Sequence, residues 1–570
     1  MTAVVRRVNG PLIEIDQTGR LAMSELVEIG EDRLPAEIVS VHSGRATAQA
    51  YEYTGSVAPG DPVRLLGRPL SVLLGPGLTG HVFDGLLRPL DGAGIWLTSS
   101  ARRSIEERTW FFDPAVAAGR AVTSGDLLGT VGGTGPIVHR VQVPPGVNGQ
   151  LDMLKPAGEY SSDEPVAVVS GVPVALTSWW PVRRRRPFRS RVEAAAPLLT
   201  GQRVIDAVYP VTKGGTAAVP GGFGTGKTVL LQQVAKWCEA DVIVYVGCGE
   251  RGNELADVVT ELSELTDPRT GGRLADRTVL IANTSNMPIM AREASIYTGV
   301  TVAEYYRDMG HDAVVIADST SRWAEALREF ASRTGALPAE EGYPAGLASA
   351  LAAFYERSGR VQTLNGADGS VTIIGAVSPP GGDMTEPVTG HTQRFVRTLW
   401  TLDRDLAYAR HYPAVTWVGS YCREADSVAA WYARNGDERW STRRSRMVAV
   451  LAEADRLTAL AELVGVSALP GHERMVMLGG RLLREAVLQQ SALSVNDAYC
   501  TPAKTAALVD MVFDILAQCE ELVDSGLPAT AVEETDFAIV VRAKEETAPG
   551  DVDGVLATRE RMLDELKGLS

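Results

Sequence analysis

The sequence predicts a multidomain α/β protein, β-rich in its first third, built on a parallel sheet in the middle and helical at its end. Three observations carry that reading. A chain of 570 residues exceeds one small module, since about 150 residues per domain implies roughly four domains. The apolar periodicity changes twice along it, from short alternations to strands interleaved with helical stretches, and then to spacings of three and four. A composition of 45% hydrophobic and 22% charged residues belongs to chains that bury several cores.

Taken in order, residues 1–70 hold apolar alternations broken by turn residues, as in VVRRVNGPLIEID, ELVEIG, AEIVSVHSG and DPVRLLG. They read as a small β-barrel or sandwich. Residues 71–190 stay strand-like and rich in Gly and Pro (LLGPGLTG, GTVGGTGPIVHRVQVPPGVNGQ), which predicts a second β-rich module. It closes on Arg183, Arg184, Arg185, Arg186, Arg189 and Arg191. The net charge of −15 opposes attraction to a phosphate backbone, so these arginines read as a solvated linker or a subunit contact, and no nucleic-acid partner is expected. Over residues 191–435, apolar strands (GGTAAVPG, DVIVYVGCG, RTVLIANTS, DAVVIADS, SVTIIGAVS) alternate with helical stretches, the pattern of a parallel sheet covered on both faces. From 436 to 570 helical spacing dominates, with Leu508, Met511, Val512, Ile515, Cys519 and Leu522 on one stripe, which predicts a helical bundle.

No run of 18 apolar residues occurs, and the N-terminal stretch MTAVVRRVNGPLIEID lacks the apolar core and cleavage site of a signal peptide. A cytoplasmic location is expected, with any membrane role reached through partners. The five cysteines are scattered and none forms a CxxC pair, so they read as core residues rather than a disulfide framework or a zinc site.

Three segments carry chemistry. Gly221, Gly222, Phe223, Gly224, Thr225, Gly226, Lys227 and Thr228 fit the pattern G-x-x-x-x-G-K-[ST]. Small residues let backbone N–H groups curl around phosphates, Lys227 reaches the β- and γ-oxygens, and the Thr228 hydroxyl is a hard oxygen ligand for Mg²⁺. An apolar strand at 216–219 precedes the loop. A helix follows it, with Leu230, Leu231, Val234, Trp237 and Cys238 on one face. A second strand ends in Asp318 after Ala313-Val314-Val315-Ile316-Ala317, placing a carboxylate at the C-terminal sheet edge on the metal side. A third, over 241–246, runs into Gly247-Cys248-Gly249-Glu250-Arg251-Gly252, where the glycines predict a tight turn that sets Glu250 to orient and deprotonate water.

With these motifs in view, the chain resembles the catalytic A subunit, or alpha chain, of V-type and A-type rotary ATPases. The resemblance runs through GPGLTGHVFDGLLRPL, WPVRRRRP, LLTGQRVIDAVYPVTKGGTAAVPGGFGTGKT, YVGCGERGNELADV, ADSTSRWAEALRE, EEGYPA, GAVSPPGGDMTEPVT, RHYPAVTWVGSY and LQQSALSVNDAYC, in family order. It implies an N-terminal β-barrel, an inserted β-rich bulge domain, a RecA-like P-loop nucleotide-binding core and a C-terminal helical bundle. It also implies ATP or ADP as substrate and product with Mg²⁺, and turnover coupled to H⁺ or Na⁺ transport. Among site residues it implies phosphate and metal contacts at Gly224, Gly226, Lys227 and Thr228, a catalytic carboxylate at Glu250, a phosphate-side arginine at Arg251, and a metal-side aspartate at Asp318. Phe223 and Tyr412 match positions near the base and loop.

The implied partners are a B subunit that alternates with this chain in a ring of three each and supplies an arginine finger, stalk subunits, and a membrane sector reached indirectly. Three departures stand out. Gly222 replaces a proline common in relatives, Thr225 occupies the place of a eukaryotic loop cysteine, and Leu493 stands where relatives usually carry an aromatic residue near adenine. A non-catalytic ring component could lose Lys227 or Glu250, and this chain keeps both. A ring-shaped nucleic-acid motor is disfavoured by the charge. Secretion ATPases and the F-type β subunit lack a match to the long β-rich stretch before the loop.

Overall fold

The computed structural model describes residues 3–16, 21–42, 44–90, 108–193, 195–267 and 269–569. The chain divides into two compact units. One comprises Met1–Glu193, Ala240–Val377 and Thr385–Phe395, and the other Ala194–Glu239, Ser378–Met384 and Val396–Ser570.

The first unit opens with six strands: β1 (Ala3–Asn9), β2 (Leu12–Asp16), β3 (Glu25–Ile29), β4 (Leu34–His42), β5 (Arg45–Ala50) and β6 (Pro62–Pro69). They close into a barrel in the order β1-β2-β5-β4-β3-β6, so the choice between barrel and sandwich falls to the barrel. Alternation builds it: Ile13 and Ile15 point inward beside Val5, Val27, Ile29, Ile38 and Ala48, whereas Glu14 lies outward against Arg7. Closure leaves no sheet edge exposed.

Two four-stranded antiparallel sheets follow. One holds Ala121–Val122, Gly149–Leu154, Pro165–Val169 and Val172–Ala175, and the other Thr109–Pro114, Leu127–Val131, His139–Gln142 and Gly158–Ser161. Phe112, Leu128, Val141, Leu151 and Val166 fill their common core. Ser71–Leu74 pairs antiparallel with Ser178–Pro181, where the chain leaves and returns. Between these, Val82–Phe83 lies parallel to Thr278–Thr284 and joins the nucleotide-domain sheet, although its sequence texture groups it with the β-rich module.

That sheet runs, within this unit, in the order Asp368–Val377, Asp312–Asp318, Val242–Glu250, Thr278–Thr284 and Val82–Phe83, each neighbour parallel. Its strands are buried almost throughout, as expected for a sheet covered on both faces. The covering helix Ile289–Asp308 carries charge inward, and the linker arginines answer it. Arg183 donates to Glu37 at 2.9 Å and to Glu293 at 2.5 Å, and Arg186 to Asp308 at 2.6 Å. Arg185, Arg189 and Arg191 donate to the carbonyls of Glu356, Leu364 and Ser358. The arginine run is therefore a clip between the connecting segment and the nucleotide domain rather than a solvated linker. Buried carboxylates demand such partners.

In the second unit Thr216–Pro220 runs parallel to Thr398–Leu399, which pairs antiparallel with Tyr421–Cys422. Helices dominate afterwards, including Trp440–Val464, Gly471–Leu482, Pro502–Asp524, Ala538–Glu546 and Val552–Lys567. Pro502 opens its helix at a position that needs no N–H, and the Thr501 side chain accepts from the Lys504 N–H. The stripe from Leu508 to Leu522 is buried. Among the described residues no helix is long and apolar enough to cross a membrane.

Candidate active site

In the second unit the strand Thr216–Pro220 delivers the chain into the glycine-rich loop, and the helix Lys227–Trp237 begins within it. Gly224 and Gly226 adopt φ of +79° and +87°, which a side chain would strain. Gly226 also has a neighbour: a Cβ there would sit 3.3 Å from the Tyr412 ring. A Cβ on Gly221 would fall 2.7 Å from Thr225 Oγ1 and 2.8 Å from Leu402. Gly222 is different, with only Arg404 Nη2 at 3.7 Å, so its departure from the relatives' proline is not forced by crowding.

Lys227 Nζ donates to the carbonyls of Gly221 at 2.6 Å and Gly222 at 2.9 Å, and Thr225 Oγ1 to that of Gly222 at 2.8 Å. The helix start has no side-chain cap, leaving its first N–H groups to an anion. Thr228 is exposed on the first turn. Phe223, Tyr412 and Leu493 expose 88%, 42% and 97% of their surface. Leu493 is thus no core residue.

In the first unit the strand Val242–Glu250 does not turn at Gly247 as the glycines predict. It continues to Glu250, with a register shift between Cys248 and Glu250 against Thr278–Thr284. Gly249 makes that bulge at φ +73°, and a Cβ there would come within 2.8 Å of Arg322 Cβ and 3.1 Å of Arg292 Cδ. Bulges re-aim side chains, and this one sets Glu250 at the sheet's C-terminal edge. Asp318 ends the adjacent strand, with Gly247 as its register partner. Asp318 is buried and accepts the Tyr245 hydroxyl at 3.1 Å.

Burial first, and then the Asp318 charge, push the Glu250 carboxyl up to about 7, against the pull of Arg322. Arg322 leaves the first turn of the helix Thr320–Thr334 and also pairs with Glu325 at 3.0 Å. Arg251 is largely exposed and lies 3.8 Å from Glu254. The first unit thus brings Glu250, Asp318, Tyr245 and Arg322 to one sheet edge, with Arg251 just beyond. The second gathers residues 221–228 and Tyr412. Sequence reading assigns no role to Tyr245 or Arg322. Arg322 stands four residues after Asp318, where a helix begun at the sheet edge turns a side chain back towards it, and that spacing is its available signal.

The phosphate loop and the carboxylates on a covered parallel sheet define a P-loop nucleotide-binding protein. Residues 201–422 match the nucleotide-binding domain of the ATP synthase alpha/beta family, 104–183 its barrel-sandwich domain, 5–67 its beta-barrel domain, and 429–527 the C-terminal domain of V and A type ATP synthase. The chain is 50% identical to the V-type ATP synthase alpha chain of Nitrosococcus oceani, with 91% of this chain and 90% of that protein covered. It is 47% identical to the V-type ATP synthase alpha chain of an Anaeromyxobacter species, with 99% of both covered. It is also 47% identical to the catalytic-type A polypeptide of the A-type ATP synthase of Saccharolobus islandicus, with 92% of this chain and 91% of that one covered. The chain belongs to the family of V-type ATP synthase alpha chains and their A-type counterparts, the nucleotide-binding catalytic subunits of ion-coupled rotary ATPases. Such a polypeptide works within a larger complex.

Proposed function

We propose that this chain makes and breaks the terminal phosphoanhydride of ATP, with Lys227, Thr228, Glu250, Asp318 and Arg322 as the working side chains and Mg²⁺ as cofactor. The observation that carries the reading is Glu250. Its carboxyl, held near 7 beside Arg322, is matched to accepting a proton from water at neutral pH. Lys227 and the N–H groups of residues 224–228 bind the phosphates, and the ammonium exchanges its contacts with Gly221 and Gly222 for phosphate oxygens. Thr228 and Asp318 supply a hydroxyl and a carboxylate, hard oxygen donors of the kind Mg²⁺ takes alongside nucleotide phosphates. Mg²⁺ held by them would neutralise charge building on the phosphates. Arg322 offsets negative charge near Glu250, and Arg251, more exposed, reaches towards the phosphates.

Phe223, Tyr412 and Leu493 serve the base. Three copies alternate with three B subunits, whose arginine completes the charge stabilisation. Stalk subunits and a membrane sector couple turnover to H⁺ or Na⁺. The retention of Lys227 and Glu250 supports a catalytic role over a non-catalytic one.

The test is Lys227→Ala in the assembled complex, which is expected to assemble and to lose turnover by far more than tenfold, each factor of ten being about 1.4 kcal/mol of barrier. Hydrolysis within about tenfold of wild type overturns the loop assignment.

A further inference from the structure

The segment from Gln489 to Asp497 has no helix or strand of its own and shows water two aliphatic side chains, Leu493 at 97% and Val495 at 88% exposure. Few contacts normally mean a loosely held loop. This one is rooted on buried charge. Arg203, Lys504, Lys544 and Asp497 beneath it expose 3% of their surface or less.

Lys544, on the helix Ala538–Glu546, donates from Nζ to the carbonyls of Glu485 at 2.5 Å and Gln489 at 3.1 Å. These close the π-helical turn Leu483–Leu488, whose final carbonyls have no intrahelical donor. Arg203 donates to the carbonyls of Val487 at 2.5 Å and Gln489 at 2.7 Å, and to Asp497 Oδ1 at 2.6 Å. The other Asp497 oxygen accepts the Ser491 N–H at 2.6 Å. Lys504 donates to the carbonyls of Lys544 and Thr547 at 2.9 and 2.8 Å, fixing the end of the helix that carries Lys544. Three cations around one carboxylate are tolerable because the partial negative charge of helix-end carbonyls faces them. Burial, then Arg203, lowers Lys544 to about 8, which leaves it protonated at neutral pH.

The same root reaches Tyr412. Gln490 N–H donates to the Tyr412 carbonyl at 2.7 Å, and Gln489 Nε2 to that of Arg410 at 3.3 Å. The Tyr412 ring stands against Gly226 of the phosphate loop. The bonds from Lys544 therefore fix both the loop that displays Leu493 and the backbone that carries Tyr412.

We propose that Lys544 is a positioning residue for the nucleotide base, setting Leu493 and Tyr412 as a preformed clamp on adenine. This rests on the reading of Tyr412 and Leu493 as base contacts. Without the ammonium, the carbonyls of Glu485 and Gln489 lose a charged donor, and the clamp spreads over more conformations. Base contacts are alike in ground and transition states, so their loss raises KM rather than lowering kcat.

The experiment replaces Lys544 with methionine (Lys544→Met) in the assembled complex and compares ATP with inorganic tripolyphosphate, which has no base. The expected result is a KM for ATP raised about three- to tenfold, kcat held within about twofold, and tripolyphosphate inhibition unchanged. An unchanged KM, or equal weakening of ATP and tripolyphosphate, overturns the proposal. Should Lys544→Met not assemble, Lys544→Gln, which keeps an amide donor, is read by the same criteria. Tyr412→Ala separates the two levels. If it weakens ATP while the Lys544 variants do not, Lys544 has no positioning role, and if it leaves ATP affinity unchanged, the base-contact reading itself fails.

Discussion

At Glu250 a carboxyl group is held between opposing influences. Burial and the charge of Asp318 favour its protonated form, Arg322 favours the anion, and the balance lies near 7. A base works only when ionised, so hydrolysis is expected to rise with pH through about 7 and then level off, and Glu250→Gln should abolish that limb while keeping nucleotide binding. Equal loss of binding and turnover in Glu250→Gln would mark a structural residue. The same shift has a stability consequence of opposite sense. Between the ordinary 4.5 and about 7 the folded chain holds a proton that the unfolded chain has released, so this group's contribution falls as pH rises across that window. Leu493→Phe is a second probe at this scale. Since Leu493 is exposed, an aromatic ring should leave stability alone and tighten ATP binding by about 0.5–1.5 kcal/mol, and a lower melting temperature with unaltered affinity would count against the base contact. Lys227, Thr228 and Asp318 are legible in the sequence because phosphate binding constrains residue type and spacing together. Tyr245 and Arg322 are not, since their proximity to Asp318 and Glu250 exists only once strands and helix are placed side by side.

Among the elements, the strand Val242–Glu250 is the most instructive. Its glycines suggest a turn after Val246, yet the chain stays extended and spends Gly249 on a bulge. Only neighbouring strands reveal that choice, because glycine suits a turn and a bulge equally. Gly249→Ala is expected to lower turnover strongly with nucleotide affinity retained. The added methyl would meet Arg322 and Arg292 and shift the edge that holds Glu250, whereas the phosphate loop lies in a different element. Parallel kinetics and nucleotide titrations check this, and wild-type turnover would remove the bulge from the mechanism. The strand Val82–Phe83 escapes a sequence reading for a different reason, since two residues are too few for periodicity. The arginine run misleads because composition cannot distinguish a solvated cation from one paired with Glu37, Glu293 or Asp308.

For the molecule as a whole, the charge stabilisation visible within the chain is incomplete. Lys227, Arg251 and Arg322 are its own cations at the loop and sheet edge, and the B subunit is proposed to supply another. An arginine donated by a partner accelerates phosphoryl transfer by roughly 10³–10⁵ in related nucleotide hydrolases, so the purified chain alone should bind ATP yet hydrolyse it at least about a thousandfold more slowly than the assembled complex. The measurement is single-site turnover by the isolated chain, then by the chain titrated with the B subunit, then with a B subunit whose candidate arginine is replaced by alanine. A rate that climbs with B and collapses with the alanine variant assigns the missing charge to the partner. Equal rates with and without B would mean that Arg251 or Arg322 already completes the transition-state charge, and the ring would then be needed for rotation alone and not for chemistry.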